Sequence, residues 1–159
     1  MNLYDEFFLI IRELRERRVS YSVIGGIAMA FHAEPRFTRD IDLLVHPDAM
    51  GDVKDALAKC GYFESSAPWT FKNTRMTLRR FMKTEGEDNL VVDVLASGEK
   101  RYKEILKNSI EQESTDGPVR IADKEDMVWM KQQRGSDQDR VDIERLRDDK
   151  DRENDKGAE

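Results

Sequence analysis

The sequence is poor in cysteine and in long apolar runs, it lacks an excess of positive charge, and each of these excludes something. Cys60 is the single cysteine, so no disulfide can close within the chain, which suits a reducing compartment. It lies in an apolar helical pattern before Gly61 and reads as a small buried residue. The apolar run Phe7-Phe8-Leu9-Ile10-Ile11 is bracketed by charges and is too short to cross a bilayer. No signal peptide is visible, and a soluble cytoplasmic protein with no membrane partner is expected. Lys and Arg number 27 against 33 Asp and Glu, a net charge of -6. A chain this acidic is not a general nucleic-acid coat, because phosphate backbones would repel it.

What is present is a patterned core under a charged surface. The chain has 159 residues, 38% hydrophobic and 38% charged, a size that suits one domain with one core. That domain is expected over residues 1–147. From about Asp148 nearly every residue is charged, and 148–159 read as a disordered tail. Leu3, Phe7, Ile10, Ile11 and Leu14 recur at helical spacing. Short apolar runs at 21–24, 41–45 and 90–95 read as strands. A helix starts at Pro47 and carries Met50, Val53, Ala56, Leu57 and Cys60. Residues 62–83 read as extended chain, with a turn at 85–89. A short helix at 99–107, a brief strand at 119–121 and helices near 123–133 and 137–147 complete the reading. An antiparallel hairpin over 70–95 favours an α+β domain, a small mixed β-sheet with flanking helices, over a doubly wound one.

Three acidic residues stand out against this frame. In Arg39-Asp40-Ile41-Asp42-Leu43-Leu44-Val45, strand alternation puts Asp40 and Asp42 on one face and Ile41, Leu43 and Val45 on the other. The two carboxylates are then about 7 Å apart along the strand. They repel unless a cation relieves them, and hard oxygen ligands suit Mg²⁺. Asp93 sits alone in Leu90-Val91-Val92-Asp93-Val94-Leu95, where burial would be costly without a polar cleft. It can stand beside Asp40 and Asp42 if the two strands are neighbours. Upstream, Val23-Ile24-Gly25-Gly26-Ile27 is a strand that breaks at two glycines and opens a helix. Such a turn lets the backbone approach a phosphate.

The combination resembles the nucleotidyltransferase superfamily with the polymerase-beta-like fold. The stretches Ile24-Gly25-Gly26-Ile27-Ala28-Met29-Ala30-Phe31-His32 and Pro35-Arg36-Phe37-Thr38-Arg39-Asp40-Ile41-Asp42-Leu43-Leu44 are similar to its minimal branch, which includes AbiEii-type toxins and uncharacterised relatives. Met130-Lys131 to Arg134, followed by Gln138-Asp139-Arg140-Val141-Asp142-Ile143-Glu144-Arg145-Leu146, resembles the closing helix of that branch. The resemblance implies transfer of an NMP from an NTP, such as ATP, to a hydroxyl acceptor: RNA, a protein or a small molecule. It implies two Mg²⁺ ions, with Mn²⁺ as an alternative, held by Asp40, Asp42 and Asp93. Gly25 and Gly26 would cradle the triphosphate, and Lys131, which matches a basic position of the family pattern, would reach it or stand as a surface lysine. Arg36 and Thr38, between the Gly-Gly helix and Asp40, suit phosphate contact, and Arg36 equally a plain surface position. The resemblance also implies a toxin–antitoxin or defence setting, with a cognate antitoxin or toxin as partner. The second reading is a catalytically weak or inactive nucleotide- or partner-binding module of the same fold.

Several residues carry weaker signals. Residues 65–84 contain Lys72, Arg75, Arg79, Arg80 and Lys83 and no acid. One strand face would hold Arg75, Thr77, Arg79 and Lys83, either as a surface for a nucleotide or RNA backbone or as a charge-protected edge. The other would hold Met76, Leu78, Arg80 and Met82, with Arg80 an odd charge seeking a carboxylate. Trp69 and Phe71 suit either base stacking or edge packing. Ser136 with Asp139 reads as a helix cap.

Overall fold

A computed structural model describes residues 1–33, 37–72 and 74–157, with side chains described as far as residue 148. Helix α1 (Leu3–Glu16) begins where the Asn2 side chain accepts from the N–H groups of Tyr4 and Asp5, at 3.0 and 3.1 Å. It buries Phe7, Ile10, Ile11 and Leu14, the stripe its spacing predicts. Strand β1 (Tyr21–Ile24) runs straight into α2 (Gly25–His32). Strand β2 (Asp40–Val45) is followed by a 3₁₀ turn at Pro47–Ala49 and then α3 (Met50–Lys59). The helix expected from Pro47 therefore opens as a tighter turn, in which His46 Nδ1 accepts from the Asp48 N–H at 3.1 Å.

The extended region resolves into β3 (Phe63–Glu64), β4 (Trp69–Thr70), β5 (Thr77–Glu85) and β6 (Asp88–Ala96). Then come α4 (Lys100–Asn108), β7 (Ile110–Gln112), β8 (Val119–Ile121), α5 (Lys124–Arg134) and α6 (Asp137–Gly157). Helix α6 carries on into the charged segment that starts at Asp148. The described strands form one mixed sheet in the order β3-β5-β6-β2-β1-β8-β7, with β4 also paired to β5. The pairs β2–β6 and β1–β8 are parallel, whereas β1–β2 and β5–β6 are antiparallel.

This order puts β2 at the centre, and its alternation decides where the core lies. Ile41, Leu43 and Val45 are fully buried with Val92, Val94 and Phe81, on the face covered by α1 and α3, which pack on each other. Burying such a side chain contributes about 1.5–3 kcal/mol, so the register of β2 is strongly specified. The opposite face receives the residues of the other parity, Asp40 and Asp42 among them. Helix α2 packs against β2 and α6, and α4 against β1, where Ser109 Oγ donates to Ser22 Oγ at 2.7 Å. Among the described residues no helix is long and apolar enough to cross a membrane.

Candidate functional site

Strands β2 and β6 bring two of the three acidic residues into direct register. Asp42 and Asp93 are Cα partners, and Asp40 pairs with Val91 one pleat away. Parallel neighbours in register show the same face, so Asp40, Asp42 and Asp93 share it. Asp40 is exposed, Asp42 half-buried and Asp93 buried at the floor. On its other side Asp93 pairs with Arg80 of β5. The guanidinium grips the carboxylate with two hydrogen bonds, Nε to Oδ1 at 2.8 Å and Nη2 to Oδ2 at 3.0 Å. Asp93 thus stands between a like charge and an opposite one.

The glycine turn closes on the same carboxylates. Ile24, the last residue of β1, is the Cα partner of Asp42, so the break into α2 happens beside it. Gly25 has φ +68°, and a Cβ there would collide with Asp42 Oδ2 and lie 2.8 Å from its Cγ. Both the conformation and the space demand glycine. A Cβ on Gly26 would lie 2.7 Å from Thr38 Cβ, and the Thr38 hydroxyl donates to the Asp40 carbonyl at 3.4 Å. Gly25, Gly26, Thr38, Asp40 and Asp42 therefore form one contiguous corner at the N-terminus of α2. Arg36 lies outside the described residues.

Electrostatics follow from this crowding. Burial, then repulsion from Asp93 and Asp40, pushes the Asp42 carboxyl up to about 7, against the opposing pull of Arg134 and Lys131. Asp40 is raised as well, by partial desolvation and then by Asp93. Lys131 is buried, with Nζ 2.8 Å from Asp142 Oδ2 and 3.8 Å from Asp139 Oδ1. Arg134 holds Asp139 at 2.8 and 2.7 Å. Asp139 also accepts from the backbone N–H and hydroxyl of Ser136, at 3.1 and 2.6 Å, the cap the sequence suggests. Burial alone would raise Asp139, but Arg134 and Ser136 hold it down at about 2. These pairs lock the start of α6 to the end of α5 and set two cations within electrostatic reach of Asp42. The sequence includes Arg134 in the stretch resembling the closing helix without giving it a role; its pull on Asp42 emerges only in the fold.

The donor chemistry fits a hard divalent cation. Mg²⁺ takes one or two protein carboxylates and completes its shell with phosphates and waters, and mutually repelling carboxylates are relieved by such a charge. Among the described residues no group of three or more His, Cys, Asp or Glu side chains is placed so that it could hold a metal ion. Asp40, Asp42 and Asp93 are an open set of carboxylates, one of which, Asp93, is gripped by Arg80.

The structure revises the reading of β5. Arg79 donates to Glu64 at 3.0 Å, and Lys83 to Glu6 at 3.0 and 3.2 Å, with Phe81 buried between them. On the face read either as a surface for a nucleotide or RNA or as a charge-protected edge, Arg79 and Lys83 are ion-paired to Glu64 and to Glu6 of α1. The face that reads as apolar, with Leu78, Arg80 and Met82, carries the site instead. Trp69 pairs with Leu78 and so lies on that side, edge to face with Phe71 at 6.1 Å. His32 meets the Ala122 carbonyl through Nε2 at 2.6 Å.

Three solved structures share this architecture. The chain is similar to a Thermotoga maritima protein assigned as a nucleotidyltransferase, with TM-score 0.62, 11% identity, and coverage of 85% of this chain and 88% of that one. The lincomycin-bound lincosamide antibiotic adenylyltransferase LnuA gives TM-score 0.57 at 15% identity, over 90% and 95% of the two chains. The antibiotic-resistance factor ANT(2'')-Ia in solution gives 0.54 at 16%, over 92% and 83%. The chain has the nucleotidyltransferase fold. Neither a family model nor a curated protein matches its sequence. At these identities the likeness speaks for the nucleotidyltransferase fold alone, and chemistry has to be argued from the site.

Proposed function

We propose that this protein is a metal-dependent nucleotidyltransferase, moving an NMP from an NTP to a hydroxyl on RNA, a protein or a small molecule. The observation that carries the reading is the register of Asp42 with Asp93, together with Gly25 closed against Asp42. Gly25, Gly26 and the N-terminus of α2 cradle the triphosphate. Thr38 and Arg36 contact it, and Lys131 and Arg134 add positive charge nearby. Asp40, Asp42 and Asp93 are the residues that would hold Mg²⁺ ions, or Mn²⁺ in their place, with Asp93 serving the acceptor side; such ions, when bound, would supply charge stabilisation to the entering and leaving oxygens. The acceptor oxygen bonds to the α-phosphorus, its proton leaves to solvent, the α–β bridging bond breaks and pyrophosphate departs.

The proposal extends to the setting. The Gly-Gly and Asp-Ile-Asp block resembles AbiEii-type toxins, so a cytoplasmic role in a toxin–antitoxin pair or in defence is proposed, with a cognate partner to be sought by co-purification. The test of the chemistry is incubation with each α-labelled NTP, Mg²⁺ or Mn²⁺ and candidate acceptors. Label should move to an acceptor and vanish with Asp42→Ala; transfer that survives this change refutes the scheme. The grip of Arg80 on Asp93 favours a second reading, a nucleotide- or partner-binding module without turnover. Tight NTP binding with no transfer to any acceptor would select it.

A further inference from the structure

Asp93 has a partner that the scheme above does not use. Arg80 is its Cα partner on β5, so the pair is built into the sheet rather than reached by a wandering side chain. The fork covers both oxygens of Asp93, the bidentate geometry that makes such pairs strong. The carboxylate has little freedom, with 13% of its side chain exposed, whereas the arginine side chain is 40% exposed and has somewhere to go. Asp40 and Asp42 also act on the guanidinium. Arg80 is therefore the cation already resident among these three carboxylates.

We propose that Arg80 holds the place at Asp93 that a divalent cation takes, so that guanidinium and metal ion compete for one carboxylate. This rests on the metal-site reading of Asp40, Asp42 and Asp93. An ion seated between Asp42 and Asp93 would stand a few ångströms from the guanidinium, in a half-buried setting where like charges repel strongly. The ion cannot displace Asp42, which Gly25 closes in, nor Asp93, which is part of the sheet floor. The arginine is the member that moves. Its release turns a planar fork toward the open side of the site, where phosphate oxygens match its geometry. Cation entry thereby creates a phosphate-binding group, and Arg80 acts as a positioning residue that sets the order of assembly.

The test needs no turnover. Mn²⁺ binding is measured by paramagnetic resonance of the free ion, without nucleotide, for the full chain and for Arg80→Gln, Arg80→Lys and Asp42→Asn. Arg80→Gln should bind Mn²⁺ about tenfold or more tightly than the unaltered protein, and Arg80→Lys, which keeps the charge but loses the fork, should fall between. Equal or weaker binding by Arg80→Gln overturns the competition. Absence of binding in both the unaltered protein and Arg80→Gln refutes the metal site itself, whereas equal, Asp42-dependent binding refutes only the role of Arg80. Should Arg80→Gln fold poorly, the unaltered protein still decides. The Arg80 Nε–H resonance, shielded by Asp93, should lose protection from solvent exchange as Mg²⁺ is added. A resonance that keeps its protection at saturating Mg²⁺ overturns the proposal.

Discussion

Asp42 and Asp93 stand side by side on two parallel strands, and burial, then repulsion from Asp93, pushes the Asp42 carboxyl up to about 7. That shift is measurable. In the unfolded chain Asp42 ionises near its ordinary value of 3.8, so between that value and about 7 the folded state keeps a proton that the unfolded state has lost. Stability must fall as pH rises through this window. One pKa unit is worth about 1.4 kcal/mol, which bounds the effect at about 4 kcal/mol, and solvent screening of a half-buried group reduces it. Thermal melts between pH 5 and pH 8 should show the decline, and Asp42→Asn should flatten it. Saturating Mg²⁺ should flatten it as well, because the ion relieves the same repulsion.

Gly25 is the position least able to change. Alanine there would carry a left-handed backbone, costing about 1–2 kcal/mol, and its methyl would strike Asp42. Gly86, with φ +59° and open space around it, is the control. Gly25→Ala should lower the melting temperature by roughly 4–8 °C and abolish Mn²⁺ binding. Gly86→Ala should cost about half as much and leave binding intact.

Gly26 meets Thr38 rather than a carboxylate. Gly26→Ala should destabilise by about 1–3 kcal/mol through overpacking. Removing the side chain it strikes, in Gly26→Ala with Thr38→Gly, should recover part of that loss. A double-mutant cycle by urea denaturation measures the coupling.

The pair of Lys131 and Asp142, 2.8 Å apart with both side chains buried, makes a distinct prediction. Taking one partner from a buried ion pair costs about 3–5 kcal/mol. Lys131→Met should lower stability by about 3 kcal/mol in urea titration, and Lys131→Met with Asp142→Leu should regain most of it. A fall in NTP affinity with no change in stability would instead assign the ammonium to the phosphates.

Much of this arrangement was legible in the chain because its signals are local. The alternation of Asp40, Ile41, Asp42 and Leu43, and the lone acid in Leu90 to Leu95, assign faces from neighbouring residues alone. The hairpin of β5 and β6 follows from the turn at Gly86. What escaped depends on pairing between distant residues. Parity divides β5 into two faces but cannot say which one the helices cover, so Arg79 and Lys83 read as a nucleotide-facing surface or a charged edge while they bond to Glu64 and Glu6. Arg80 reads as a charge in want of a carboxylate, yet its partner is decided by the register of β5 on β6. Strand β7, exposed along its length, has a single apolar residue and no pattern to detect.

The outer flank of β5 is divided between two fragments. Strand β3 pairs with Phe81 and Met82, and β4 with Thr77 and Leu78. A long, flat outer strand would invite another chain to add on. Here the backbone partners on that flank are taken by two-residue pieces with a connector between them. The same segment that carries Trp69 also guards this border against association between molecules. Ser65 at the start of the connector is still tied to β5, its N–H donating to the Arg80 carbonyl at 2.9 Å, and fusing the two fragments into one straight strand would trade away that protection.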